Sequence, residues 1–228
     1  MSEKLTEVLE KPELNREDII YLLSLNGEDK KILFKKAKEI KSKYSGNITW
    51  FRGLIEFSNI CSKNCYYCGI RCANKNQKRY ELSEKEVLKA AKFAIDQNWG
   101  SVVLQAGERS DEKFTKKITS ILKNIKKLSS TPPGITVSLG EQSREVYEEW
   151  FDAGAHRYLL RIESSTPELY NKLHPDDEKH SYENRLKALH LLKELDYQTG
   201  TGVMIGTPFQ TMEHLANDLI FMRDFDID

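Results

Sequence analysis

Long apolar runs are absent from this chain. No stretch approaches the roughly eighteen apolar residues that a bilayer crossing needs, so no transmembrane helix is expected. Met1 to Asn15 is polar and holds no hydrophobic signal segment, and a cytoplasmic protein is expected. An excess of either charge is missing too. Lys plus Arg number 35 and Asp plus Glu number 35, a formal net charge of zero. That removes the electrostatic case for binding nucleic acid or an anionic membrane. Cysteine is scarce, and the four present all fall between 61 and 72, which argues against a disulfide framework and for a metal. No internal repeat, low-complexity tract, Ser–His pair or His–carboxylate constellation stands out.

What is present suits one soluble domain with a sizeable core: 228 residues, 39% hydrophobic and 31% charged. The lysine-rich runs from Lys35 to Lys43 and Lys116 to Lys127 read as solvated helix faces. Residues 15–45 read as two helices, one with Ile19, Ile20, Leu22 and Leu23 on its apolar face, the other with Ile32, Leu33, Ala37 and Ile40. Beyond Thr49, β-prone runs alternate with amphipathic helices, as βα units around a parallel sheet do. Strands are expected at Gly53–Ser58, Ser101–Gln105, Ile135–Leu139, Arg157–Ile162 and Thr199–Ile205. Helices are expected at about 83–98, after the second strand, and at about 143–153, 167–173, 182–195 and 211–224. Ser83 and Glu86 form a capping box for the first of these.

The fold class expected is therefore α/β, a partial TIM-type (βα) barrel. An N-terminal helical extension covers 1–50 and the barrel core 51–228. A full eight-unit barrel takes about 250 residues, so a barrel truncated at its C-terminus is the expectation.

The chemistry concentrates in Cys61-Ser-Lys-Asn-Cys65-Tyr-Tyr-Cys68, a C-x3-C-x2-C spacing in the loop after the first strand. Such loops lie on the C-terminal face of a barrel, where active sites are built. Three thiolates from one loop suit three irons of a 4Fe–4S cluster, leaving the fourth iron open to the amine and carboxylate of S-adenosylmethionine (SAM). A four-cysteine zinc site including Cys72, and buried structural thiols, are the alternatives. Cys72 is expected to be a bystander. Tyr67 would set its backbone and ring against the adenine. The histidines His156, His174, His180, His190 and His214 are scattered and read as surface or packing residues.

This triplet, with an aromatic residue before its last cysteine, resembles the radical SAM superfamily. The stretch from Phe51 through Asn76 resembles more particularly the HydE type of FeFe-hydrogenase maturase, with biotin synthase and methylornithine synthase as near relatives. Leu104–Glu108, Ser138–Glu141, Arg157–Glu163, Glu183–Arg185 and Gly202–Gly206 carry the likeness further, over about 15–228. Cys72, and Ile162 in place of a polar residue, depart from the pattern.

The resemblance implies an enzyme that reductively cleaves SAM to a 5′-deoxyadenosyl radical. Its cofactors would be a 4Fe–4S cluster and SAM, its catalytic residues and metal ligands Cys61, Cys65 and Cys68. It also implies that Gly107 and Glu108 form a turn accepting hydrogen bonds from the methionyl amine. Arg161 and Glu163, put on one face by strand alternation, would hold the carboxylate and the ribose or amine. Arg185 would bind the carboxylate. Gly202 and Ile205, with Val203 and Gln210, would lie under the adenine. Gln105 and Thr136 are expected at the barrel mouth as substrate contacts. The substrate would be a small molecule or a small iron complex, and the partners an electron donor and the maturases HydF and HydG. Another enzyme of the biotin synthase and methylornithine synthase group, a non-catalytic iron–sulfur carrier and a zinc module remain as alternatives at this point.

Overall fold

The computed structural model describes residues 3–227. The chain divides into two compact units. One comprises the segment up to Thr49 with Ser164–Leu169 and Met204–Asp226; the other is built from Trp50–Glu163 and Tyr170–Val203.

In the first unit, α1 (Glu3–Glu10), α2 (Arg16–Ser24), α3 (Gly27–Ser45) and the C-terminal α9 (Met212–Asp224) are the main elements. Asn15 caps α2 through a reciprocal box with Asp18. Leu5, Val8 and Leu22 make a small core, with Ile32 and Leu33 half-buried against it. Ala37 and Ile40, expected on the same apolar face, are exposed. The helix α1 was not foreseen. α9, expected as part of the barrel core, packs with α2 instead.

The second unit holds a five-stranded, wholly parallel sheet in the order β1 (Gly53–Ser58), β2 (Ser101–Ala106), β3 (Gly134–Ser138), β4 (Arg157–Leu159), β5 (Gln198–Gly200). Helices α4 (Glu84–Asp96), α5 (Glu112–Lys126), α6 (Arg144–Asp152) and α8 (Tyr182–Glu194) return the chain between strands, and α7 (Pro167–Leu173) is divided in sequence, its residues up to Leu169 counted with the first unit and the rest with the second. Ser83, Asp111, Ser143 and Ser181 each accept a backbone N–H from the first turn of the following helix. One sheet face is sealed by apolar side chains: Val102, Leu104, Val137 and Tyr158 are buried with Ile118, Ile121, Leu122, Trp150 and Leu192. Alternation along each strand leaves the other face to polar residues and the loops.

Two strands are shorter than expected, and they fail together. Past Leu159 the ladder to the last strand is interrupted because the Ile162 N–H donates to the Thr201 hydroxyl (3.0 Å) rather than to a carbonyl. Glu163 then turns into the left-handed region (φ 64°). One isolated parallel bridge, Glu163 to Val203, survives beyond the break. With its neighbour broken, β5 ends at Gly200 instead of reaching Ile205.

Candidate functional site

The loop after β1 carries all four cysteines, each a free thiol. Cys65 is buried, Cys61 and Cys68 half-buried, and Cys72 exposed. Backbone bonds from Cys68 to Cys65 (3.1 Å) and Arg71 to Cys68 (3.2 Å) coil the loop into consecutive turns. Its first turn is pinned on the segment just after β2: the Ser62 N–H and hydroxyl both donate to the Glu108 carbonyl at 2.9 Å. Gly107 permits that contact. A β-carbon there would lie 2.4 Å from the Ile60 carbonyl oxygen and 2.6 Å from the Cys61 β-carbon.

Burial is the main force on the thiols. It pushes Cys61 up, against the backbone N–H groups of Lys63 and Glu108 that favour its thiolate, while Glu108 and Cys68 add to the rise. It pushes Cys65 up to about 11, opposed by the Tyr67 hydroxyl and Arg185 and aided by Cys61 and Cys68. Cys68 thus bears on both other thiols, and Cys61 on Cys65. Among the described residues, no three His, Cys, Asp or Glu side chains gather around a point that would suit one metal ion.

Lys63, inside the triplet, is buried (6% exposed). Its ammonium lies 3.1 Å from Glu108 and 3.1 Å from Glu141, and also donates to the Lys179 carbonyl. Arg185 from α8, expected as a SAM ligand, is buried as well. It meets Glu141 at 2.5 Å and Glu108 at 3.9 Å, and donates to the Arg161 carbonyl at 3.1 Å. Two cations and two carboxylates so form a closed cage beside the cysteines. Burial nevertheless keeps the Glu108 carboxyl above its ordinary range, with Lys63 and Arg185 pulling against it. Gly140 (φ 77°) leaves room for the Glu108 carboxylate, since a β-carbon there would overlap it.

Two buried histidines brace the loop from behind, their rings 6.2 Å apart. The Asn64 N–H donates to His180 Nε2 (2.8 Å), so His180 Nδ1–H faces Asp177 (2.6 Å). His174 Nδ1–H donates to the Tyr170 carbonyl (2.7 Å), which leaves Nε2 to accept from the Tyr67 hydroxyl (3.2 Å). These two, expected as scattered residues, come together: both contact the cysteine loop. Tyr67 lies edge-on to His174, with ring centroids 5.3 Å apart.

Arg161 and Glu163 do meet, at 3.0 Å. Strand alternation is not the cause, because both lie past the end of β4; the left-handed turn at Glu163 folds it back. Arg161 also donates to the Val203 carbonyl (2.9 Å), and Gly202 packs along its side chain. Glu163 Oε2 is buried without a hydrogen-bond partner among the described residues, an atom waiting for a donor. Ile205 belongs to the other unit and is 78% exposed. There Gln210 braces the turn, accepting from the Gly206 N–H (2.6 Å) and donating to the Met204 carbonyl (2.7 Å).

Gln105 and Thr136 share the open sheet face but not a level. Thr136 pairs with Val103, whereas Ser138 is the neighbour of Gln105. Gln105 lines a cavity of about 190 Å³ with Glu56, Ile70 and Tyr80. Thr136 lies one layer deeper, in a cavity of about 120 Å³ with Arg52 and Arg157. Lys63, Glu141, His174 and His180 were missed as site residues. Only the Ser138–Glu141 likeness hinted at one of them.

The donor set fits an iron–sulfur cluster with a bound organic ligand: three thiols on one preformed loop, a backbone held close by Gly107, and an unpartnered buried carboxylate oxygen at Glu163. The model of the Radical SAM superfamily matches residues 55–222. The FeFe-hydrogenase maturase subunit HydE of Thermotoga maritima is 45% identical over 227 residues, 99% of this chain and 63% of that protein. The 3-methylornithine synthase of Methanosarcina acetivorans is 26% identical over 204 residues, 88% of this chain and 56% of that protein. Among solved structures, the FeFe-hydrogenase maturase HydG of Carboxydothermus hydrogenoformans superposes with a TM-score of 0.83 at 25% identity, covering 99% of this chain and 54% of its own. The chain therefore spans about three fifths of the curated relatives it matches.

Proposed function

Because this chain belongs to the radical SAM superfamily, whose members use a 4Fe–4S cluster and SAM, we propose that it reductively cleaves SAM in the maturation of the FeFe-hydrogenase active site. The observation that carries this is the loop Cys61–Cys68, whose three free thiols are presented by a backbone pinned on Gly107 and Glu108. Its likeness to HydE supports the maturation role, over the 63% of that protein it spans.

Cys61, Cys65 and Cys68 would hold the cluster, with Cys72 outside the ligand set. When bound, the cluster would supply one electron to the SAM sulfonium, breaking the C5′–S bond to methionine and a 5′-deoxyadenosyl radical. The chain's own residues orient and enclose. The buried Arg185 guanidinium is preset for a carboxylate, and its cage with Glu108 and Glu141 fixes its direction. Glu163 Oε2 would accept from a ribose hydroxyl or an amine, with Arg161 holding the other oxygen. Gly107 and Glu108 would meet the methionyl end, Tyr67 and Gly202 the adenine, and Gln105 and Thr136 the substrate. The last would be a small molecule or small iron complex, with HydF and HydG as further partners in the cytoplasm. Among the described residues no helix is long and apolar enough to cross a membrane.

The test is anaerobic reconstitution with iron and sulfide, then dithionite and SAM, with chromatography for 5′-deoxyadenosine. Product is expected from the parent and from Cys72→Ala. It is expected from none of Cys61→Ala, Cys65→Ala and Cys68→Ala, which should also lack the cluster's visible absorbance. Cluster loss in Cys72→Ala alone would overturn the ligand assignment.

A further inference from the structure

The cysteine loop lies against the segment that follows Leu169. The Tyr66 N–H donates to the Leu173 carbonyl (3.0 Å), and the Tyr67 hydroxyl to His174 Nε2 (3.2 Å). Tyr170 is the aromatic residue beneath this contact, and its ring is held from two sides. It stacks on His174, with centroids 4.0 Å and planes 21° apart, and meets Tyr182 edge-on at 5.4 Å. Its carbonyl accepts from His174 Nδ1–H (2.7 Å), so backbone and ring are fixed by the same partner.

The ring is fully buried (0% exposed), yet its hydroxyl has no hydrogen-bond partner among the described residues. The other buried tyrosines of this unit are satisfied. Tyr147 and Tyr158 donate to the Gly140 carbonyl at 3.4 and 2.8 Å, and Tyr197 to the Tyr147 carbonyl at 2.6 Å. An unmade bond of this kind costs about 1–3 kcal/mol, so its persistence calls for an acceptor that arrives later. Burial pushes the Tyr170 hydroxyl's pKa up; Arg185 opposes the rise, and Glu141 and Cys65 add to it. Those three are therefore the groups it faces. Arg185 has no lone pair to offer. Glu141 is already held by Arg185 and Lys63 at 2.5 and 3.1 Å. Cys65 remains. As a thiol it is a weak acceptor, whereas a sulfur that ligates iron carries negative charge and accepts strongly.

Resting on the function proposed above, we propose that the Tyr170 hydroxyl donates to a sulfur on the Cys65 side of the bound cluster and holds the site at a less negative reduction potential. Reduction adds one negative charge to the cluster, and a donor aimed at its sulfurs favours the more negative state. Tyr170 is thus a tuning residue, which neither ligates iron nor moves a proton.

The test compares the parent with Tyr170→Phe and the control Tyr197→Phe. Each is reconstituted anaerobically with iron and sulfide, and the midpoint potential is read by redox titration followed by electron paramagnetic resonance. Tyr170→Phe should bind as much iron as the parent and titrate at a more negative potential. Before reconstitution it should melt no lower than the parent, because phenylalanine leaves no hydroxyl unpaired. Tyr197→Phe loses a made bond to the Tyr147 carbonyl. It should melt lower and titrate with the parent, which separates tuning from packing. In heavy water, the reduced parent should show a deuteron coupled to the cluster that Tyr170→Phe lacks. An unchanged midpoint in Tyr170→Phe would overturn the inference, and weaker SAM binding beside it would give the hydroxyl to the ligand of Arg185 instead. A parent that takes up no cluster would overturn the proposed function, and this inference with it.

Discussion

Lys63→Met tests the cage that ties the cysteine loop to its neighbours. The ammonium contacts Glu108 and Glu141 at 3.1 Å each, with side chains 8%, 13% and 17% exposed, so water compensates little for its removal. Methionine fills similar space but leaves two buried carboxylates sharing Arg185 alone. Breaking a buried pair by deleting one partner costs about 3–5 kcal/mol. That is a large part of the roughly 5–15 kcal/mol that holds a domain folded. At about 2–4 °C per kcal/mol for a domain of this size, the metal-free protein should melt about 6–20 °C lower. Urea unfolding of the same protein gives the free energy directly. Glu141→Gln in the Lys63→Met background should recover part of the loss, because it removes a carboxylate that no longer has its cation. The exposed pair Lys116–Glu112, with side chains 72% and 80% exposed, is the contrast: Lys116→Met should leave the melting temperature where it was. A Lys63→Met protein melting within about 2 °C of the parent would refute the reasoning, since the cage would then not be what fixes the loop.

Gly107→Ala forces a β-carbon to within 2.4 Å of the Ile60 carbonyl oxygen, a backbone atom that cannot swing aside. It should cost about 1–3 kcal/mol and lower the iron bound per chain on reconstitution; unchanged iron content would sink the idea that this contact shapes the loop. Burial lowers the His174 pKa from 6.5 to about 4. Below pH 6.5 the unfolded chain therefore takes up a proton that the folded one refuses. Stability should be fully present above pH 6.5 and fall by up to about 3 kcal/mol as pH drops to 4, a slope His174→Gln should remove in urea titrations.

The cysteine loop was legible because its spacing is local: three thiols within eight residues lie on one loop directly after β1. β1, β2 and the capped helices follow from local periodicity in the same way. Lys63 was not legible. A lysine between serine and asparagine in a polar loop reads as solvated, and only the return of β2, β3 and α8 to one point buries it against Glu108 and Glu141. His180 was hidden for a different reason: its partner is the backbone N–H of Asn64, which any residue there would supply. The overlong fourth strand was a third kind of failure. Its β-prone residues favour extension through Ile162, but the Thr201 hydroxyl takes a bond that the ladder needed, and that substitution leaves no trace in the pattern of Arg157–Ile162. The same interruption has a functional consequence. A regular strand would have carried Glu163 on in extended form, whereas the broken one folds it onto Arg161 and leaves Oε2 buried and unpaired. The residues best placed to hold a ligand thus sit where local propensity and the structure disagree.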